Sequence, residues 1–287
     1  VIRSLHAYAN SAVGNRAALV RAAPMNQTLA APARFLASLI LLLPFSQPLT
    51  AQESVDSRME SAINAPSRAI AHILRDELRK PSEVIRFMQL PNSGAQVLDL
   101  YAADGYYTYL LASAVGPDGR VFAQNPIAGP DADADDIRQM HSLADALDER
   151  IALAQLSNVT HLRSDFAKLA TSTIEPKSLD AILMSQILHD FANAGEAEAI
   201  ALLTSLRTLL KPSGALIVID HAGESGLDNL RLHRMPVEQA KRVAEAAGYT
   251  LQAESSLLAN PRDRHRRPVF DPMLARNTDR FLLRFQP

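Results

Sequence analysis

Short apolar runs alternate with longer amphipathic stretches along most of the chain. Five runs read as strands: 96–101 (QVLDLY), 120–124 (RVFAQ), 159–163 (VTHLR), 179–184 (LDAILM) and 215–220 (ALIVID). Each is too short for a stable helix and is bounded by polar or turn-forming residues. Between them the apolar period lengthens to that of a helix. The clearest case is 135–156, where Ile137, Met140, Leu143, Leu147, Ile151 and Leu156 recur at near-helical spacing. A second helix is expected over 196–210, stopped by Lys211-Pro212-Ser213-Gly214, and a third over 236–247, opened by Pro236 and followed by Gly248. Two last strands, 249–254 (YTLQAE) and 280–285 (RFLLRF), flank a long polar loop. Strands alternating with helices predict βαβ units and a mostly parallel sheet, hence an α/β fold.

Ahead of the first strand, 67–80 (SRAIAHILRDELRK) places Ile70, Ile73, Leu74 and Leu78 on one helical stripe, and Pro81 opens a second short helix carrying Val84, Ile85, Phe87 and Met88. These helices are expected to cap one side of the functional site. Further upstream, 25–34 (MNQTLAAPAR) precedes the apolar run 35–43 (FLASLILLL), then Pro44 and a polar stretch ending PLTAQE. That is the layout of a secretory signal peptide over 25–51, with Ala51 as the last residue before cleavage. The run falls short of the roughly 20 apolar residues needed to span a bilayer, and an uncleaved anchor is the alternative. Residues 1–24 begin with Val and read as a non-native upstream extension. The expected organisation is therefore extension 1–24, signal 25–51, helical lead-in 52–95 and one α/β domain over 96–287.

Composition narrows the function classes. With 47% hydrophobic and 21% charged residues, the chain has the balance of a folded globular protein. Its 29 basic and 31 acidic residues leave a formal net charge of -2, so no global field draws it to nucleic acid or an anionic membrane. Arg262, Arg264, His265, Arg266 and Arg267 form a local basic patch, but Asp263 interrupts it and no aromatic residue is interleaved. A solvated loop is the better reading than a nucleic-acid grip. The absence of cysteine excludes disulfides, thiolate metal sites and a Cys nucleophile, and leaves the compartment open.

The stretch VLDLYAADGYYTYLLA, 97–112, looks like a strand running through a glycine loop into a helix, yet Tyr101 and Ala103 stand where such a loop usually carries glycine. Glycine there permits a tight turn and close approach of backbone to a ligand. A dinucleotide's pyrophosphate would also meet the carboxylate of Asp104, which argues against NAD. In an open α/β sheet, ligands bind beyond the carboxyl ends of the strands. His189 and Asp190 follow the fourth strand and His221 ends the fifth, so both histidines should face one crevice. Either could act as a base, with Asp190 as the orienting partner. A weaker reading takes His189, Asp190, His221 and His233 as metal ligands, without any compact motif such as HExxH.

The loop Asp99-Leu-Tyr101-Ala-Ala103-Asp104-Gly105-Tyr106-Tyr107-Thr108, together with RDELRKPSEV, LDAILMSQILHDF, LLKPSGALIVIDH and TDRFLLRF, resembles the class I S-adenosylmethionine (SAM) dependent methyltransferases from about Arg75 to Phe285. More narrowly it is similar to bacterial methyltransferases that carry an N-terminal signal peptide, whose loop often has an aromatic at the first glycine position and an aromatic pair plus Thr after the last. The resemblance implies a Rossmann-like class I methyltransferase fold, a seven-stranded mostly parallel sheet with helices on both faces. It also implies SAM as cofactor in a cleft of Asp99, Tyr101, Ala103, Gly105, Asn125, Asp165 and Phe166. Asp99 would serve the loop amides and the cofactor's ammonium; Asp165 and Phe166 would meet its adenine. Asn125 stands where the family carries an acid for the ribose hydroxyls; its carbonyl can accept a hydroxyl hydrogen bond without charge assistance. Tyr101, Tyr106 and Tyr107 are candidates for cation–π contact with the sulfonium, for the substrate pocket, or for core packing. The implied activity is methyl transfer to a small molecule by an exported enzyme, with His189, Asp190 and His221 as catalytic residues. The rival is a silent binding protein on the same scaffold.

Overall fold

The computed structural model describes residues 53–129, 132–171 and 174–287. The extension and the signal segment expected upstream lie outside the described residues. Three helices come first, α1 (Val55–Ile63), α2 (Ile70–Arg79) and α3 (Pro81–Met88). The alternating part follows as β1 (Gln96–Leu100), α4 (Tyr106–Val115), β2 (Arg120–Asn125), α5 (Ala134–Leu153), β3 (Val159–Arg163), β4 (Leu179–Ser185), α6 (Leu188–Ala194), α7 (Glu196–Arg207) and β5 (Leu210–His221). Then come α8 (Asn229–Leu232), α9 (Val237–Ala246), β6 (Thr250–Ser255) and β7 (Arg280–Gln286). One sheet has the order β3-β2-β1-β4-β5-β7-β6, parallel except for β7, which runs antiparallel to both its neighbours.

Strand residues alternate between two buried layers, as a pleat covered on both sides requires. Val97, Val121, Leu183 and Ile217 pack with Met59, Val84, Ile85, Leu110 and Leu111 from α1, α3 and α4. Leu98, Phe122, Met184 and Val218 pack on the opposite face with Phe191, Leu203, Leu206 and Val243 from α6, α7 and α9. Full burial of one such side chain is worth about 1.5–3 kcal/mol. The parallel strands β1 to β5 bring all their carboxyl ends to one edge, and that edge carries the site.

Three local departures from the sequence expectation have physical causes. Helix α1 carries too few apolar residues to announce itself. It is started by Ser54, whose hydroxyl accepts the Ser57 N–H, and anchored by Arg58, which donates to the carbonyls of Ser113 and Ala114 at the end of α4. Strand β5 begins earlier than expected. Leu179 pairs with Leu210 and Ala181 with Ala215, so Lys211–Gly214 bulges out of the ladder rather than ending a helix. Gly214 is needed there because a Cβ would lie 2.8 Å from the Leu179 carbonyl oxygen. Helix α2 is inverted: Ile70 and Leu74 are each 75% exposed and Ile73 44% exposed, while His72 on the opposite face is buried. Its inward face is polar because it contacts charged and hydroxyl groups of the site.

Candidate active site

The loop after β1 keeps a glycine-loop path without the glycines. Tyr101, Ala103 and Gly105 all have left-handed backbones, with φ of 57°, 50° and 80°. For a residue with a Cβ this costs roughly 1–2 kcal/mol. The neighbouring strand β2 holds the path in place. The Gln124 side-chain carbonyl accepts the Tyr101 N–H at 3.1 Å, and its backbone carbonyl accepts the Ala102 N–H at 2.8 Å. Asn125 Nδ2 donates to the Ala103 carbonyl at 3.0 Å, and Arg150 Nε from α5 donates to that of Asp104 at 3.0 Å. Gly105 suits its place on two counts, a left-handed φ of 80° and a Cβ position only 2.7 Å from Leu147 Cδ1, which any side chain would have to displace.

Asp99, near the end of β1, is buried and accepts a 2.6 Å hydrogen bond from Thr108 Oγ1. Burial raises its pKa to about 7, against the opposing hydrogen bond from Thr108 and the charge of Arg79. A cation is therefore the natural ligand for this carboxylate. At the tip of β2, Asn125 Oδ1 is buried and accepts no hydrogen bond among the described residues. A buried acceptor left this way is costly unless a ligand donor meets it. Past β3, Ser164 donates its N–H to the Asn125 carbonyl, which brings Asp165 and Phe166 beside Asn125. Asp165 contacts Lys168 at 3.0 Å and stays partly exposed, and the Phe166 ring meets Phe191 edge-on at 5.1 Å. Tyr101 packs half-buried against the core layer on the α6 side.

Two expectations need correction. The Asp104 carboxylate turns away from the loop's ligand side toward α2. Arg75 donates to both its oxygens, at 3.1 and 2.7 Å, and His72 Nε2 lies 3.2 Å away. Although burial works to raise its pKa, these partners hold it well below the usual carboxylate range. The charge argument against NAD therefore has no support in the geometry. Likewise Tyr106 and Tyr107 already have a cation. Arg79 lies 4.5 Å from the centre of the Tyr106 ring and 5.6 Å from that of Tyr107, and the Tyr106 hydroxyl donates to Asp76 at 2.8 Å.

A second group of polar side chains lies at the tips of β4 and β5. His189 on α6 and Asp220 on β5 form a buried pair, Nδ1 to Oδ1 at 2.7 Å, and the other Asp220 oxygen accepts the His189 backbone N–H at 2.9 Å. His189 Nε2 points toward Asp190 Oδ1 at 3.3 Å, and His233 Nδ1 lies 3.8 Å from the same oxygen. Burial works to lower the His189 pKa, yet the charge and hydrogen bond of Asp220, with Asp190 adding, raise it to about 9. His221 is the opposite case. Burial and the positive charge of His189 push its pKa well down, and its ring nitrogens contact Thr278 Oγ1 at 2.8 Å and Gln186 Nε2 at 3.1 Å. Sequence reasoning placed His189, Asp190 and His221 together, and the two rings are indeed 5.9 Å apart. It named Asp190 as the orienting partner, whereas Asp220 does that. The overlooked signal was an acid inside a strand of buried Ile and Val, which must have a partner. Arg75 and Arg79 were also missed, though 72, 75, 76 and 79 share one helical face.

A family model described as a methyltransferase domain matches residues 91–259, more than half of the chain. The chain belongs to this methyltransferase family. The enzyme also resembles, in fold, a SAM-dependent methyltransferase from Aquifex aeolicus, at 20% identity over 80% of this chain and 97% of that one, with a TM-score of 0.52. The PH0226 protein from Pyrococcus horikoshii matches at 18% identity over 77% and 93% of the two chains, with a TM-score of 0.49. No curated protein matches the sequence significantly. SAM is the cofactor of the methyltransferase, and the residues present fit it: the buried Asp99 carboxylate suits an ammonium, and the free Asn125 Oδ1 suits a ribose hydroxyl. Bound there, SAM supplies an electrophilic methyl group on its sulfonium.

Proposed function

We propose that this enzyme methylates a small-molecule acceptor after export across the inner membrane. The observation that carries the active-enzyme reading is the strained loop. Two non-glycine residues are kept in left-handed geometry by a dedicated set of hydrogen bonds, and strain of this kind persists where the shape is used. Asp99 would hold the cofactor's ammonium, Asn125 Oδ1 would accept from its ribose, and Asp165 with Phe166 would border its adenine. The acceptor lies against the tips of β4 and β5. Asp220 fixes the His189 ring and holds it as the cation, and the Asp190 carboxylate, placed by His189 Nε2, takes the acceptor's proton. His221 is neutral, has a contact on each ring nitrogen, and positions Gln186. Holding the acceptor in line supplies much of the remaining rate.

The experiment is release of S-adenosylhomocysteine from SAM across a panel of hydroxylated and amine acceptors, with wild type beside His189→Ala. Turnover present in the wild type and lost in the variant supports the reading; equal rates in both contradict it. Export rests on Arg34 ahead of the nine-residue apolar run over 35–43 and on the small-residue boundary at Ala51. No helix among the described residues is long and apolar enough to cross a membrane. Sequencing the N-terminus of the protein recovered from its host should read from residue 52, whereas an intact 35–43 run would replace export with anchoring.

A further inference from the structure

Outside the cofactor cleft, the arrangement of His189, Asp190 and His233 has the character of a coordination site. We propose that His189 Nε2, Asp190 Oδ1 and His233 Nδ1 together bind one divalent transition metal of the zinc, cobalt or iron class. The three ligand atoms lie within 4.8 Å of one another, with 3.3 and 3.8 Å from Asp190 Oδ1 to the two histidine nitrogens. Metal–ligand bonds of about 2.0–2.2 Å bring neighbouring ligands to roughly 3–3.5 Å, so Asp190 Oδ1 already stands near that spacing from both nitrogens, and the two nitrogens must draw together around the ion.

The supporting shell is already that of a metal site. A ligating histidine usually donates its other ring N–H to a carboxylate, which fixes the tautomer and turns the free lone pair toward the ion. Asp220 does this for His189. It is itself fixed by the backbone N–H groups of His189 and His221, at 2.9 and 2.7 Å. His233 is steadied by Phe270, with ring centres 4.9 Å apart. The nearby guanidinium of Arg234 is committed to Asp263, at 3.1 and 2.8 Å, and leaves the carboxylates at the tips for another cation. Two imidazoles and one carboxylate prefer a borderline transition ion to magnesium or calcium. His189 is buried while Asp190 and His233 are partly exposed, so three protein ligands leave positions open to the crevice, as catalytic metal sites do. The inference rests on the proposed acceptor pocket only for its use: the cation takes the place of the proton at the His189–Asp190 pair, and an acceptor oxygen can complete its shell.

The test is titration of the full chain, free of any histidine tag, with Co2+ and Zn2+, read by visible absorption and calorimetry. One cation per chain at micromolar affinity is expected, with a cobalt d–d band that zinc abolishes. His233→Ala and Asp190→Asn should each weaken binding at least tenfold, and Asp220→Asn by roughly 10–100-fold although it removes no ligand. His161→Ala, which alters a histidine paired with Asp148 elsewhere, should leave it unchanged. Absence of stoichiometric uptake at 1 mM cation, or wild-type affinity in His233→Ala, overturns the site. A parallel SAM titration separates the two proposals: cobalt uptake without SAM binding supports the metal site and removes the methyl-transfer role, and SAM binding without cobalt uptake removes the metal site alone.

Discussion

The two ends of the crevice are built by opposite means. At the cofactor end the backbone does the shaping, and side chains from β2, α2 and α5 serve to hold it. At the tips of β4 and β5 the side chains themselves are the feature, with three imidazoles and two carboxylates drawn together by α6, β5 and α8. At the first end Tyr101 and Ala103 keep the left-handed path through hydrogen bonds from Gln124 and Asn125. At the second the contacts run directly between side chains, from His189 to Asp220 and Asp190 and from His221 to Thr278 and Gln186.

That contrast can be broken at either end, and the largest effect belongs to the tips. His189→Ala should lower turnover by roughly 10²–10⁴-fold, the usual range for a disabled proton-transfer pair, while the SAM dissociation constant stays within about twofold. Steady-state kinetics beside calorimetry checks both halves; a parallel loss of SAM affinity would mean the two ends are not separable. Next in size, Asp99→Asn should weaken SAM binding by about 10–100-fold, the range for removing a charge-assisted hydrogen bond. Gln124→Ala leaves the Tyr101 N–H and the Ser164 carbonyl without their partner and should cost about 1–3 kcal/mol of stability in a denaturant melt. Smallest, Ala103→Gly relieves a left-handed alanine and should add about 0.5–1 kcal/mol, the strain being partly offset by glycine's extra unfolded-state freedom. A destabilised Ala103→Gly protein would show that the loop carries no strain.

A pH dependence sharpens the cofactor end. The Asp99 pKa of about 7 lies above its ordinary value of 3.8, with Thr108 and Tyr107 of α4, Arg79 of α2 and Asp104 of the loop around it. Being raised, it contributes stability that is full below the ordinary value and is lost as pH rises through 7. Binding of a cation runs the other way, because only the ionised carboxylate attracts it. SAM affinity should therefore climb as pH rises from about 5 to 7, by at most tenfold per unit, and level off above. The Asp99→Asn variant should show no such slope.

Much of the fold was legible because buried parallel strands are dense in Val, Ile and Leu, and all seven expected strands are present. What could not be read was which face of α2 turns inward. Its apolar stripe of Ile70, Ile73 and Leu74 follows the rule for a core helix, but Asp104 and the Tyr106 ring lie on the other side and are matched by Arg75, His72 and Arg79. Periodicity reports that a helix has two faces and not which is buried. In the site, the glycine positions were legible from the loop's resemblance, but the cause of their survival was not, since the hydrogen bonds come from Gln124 and Asn125, more than twenty residues away. The pairing of His189 with Asp220 was hidden in the same way, the two lying 31 positions apart.

The central claim is that a loop lacking two of its glycines still holds the cofactor. It is tested most directly by calorimetric titration of the full chain with SAM at pH 6 and pH 8, with NAD as comparator. One SAM per chain, bound more tightly at pH 8 and with proton release at pH 6, is the result predicted here, and NAD should give no comparable heat. Absence of binding at millimolar SAM, or an equal response to NAD, would contradict it.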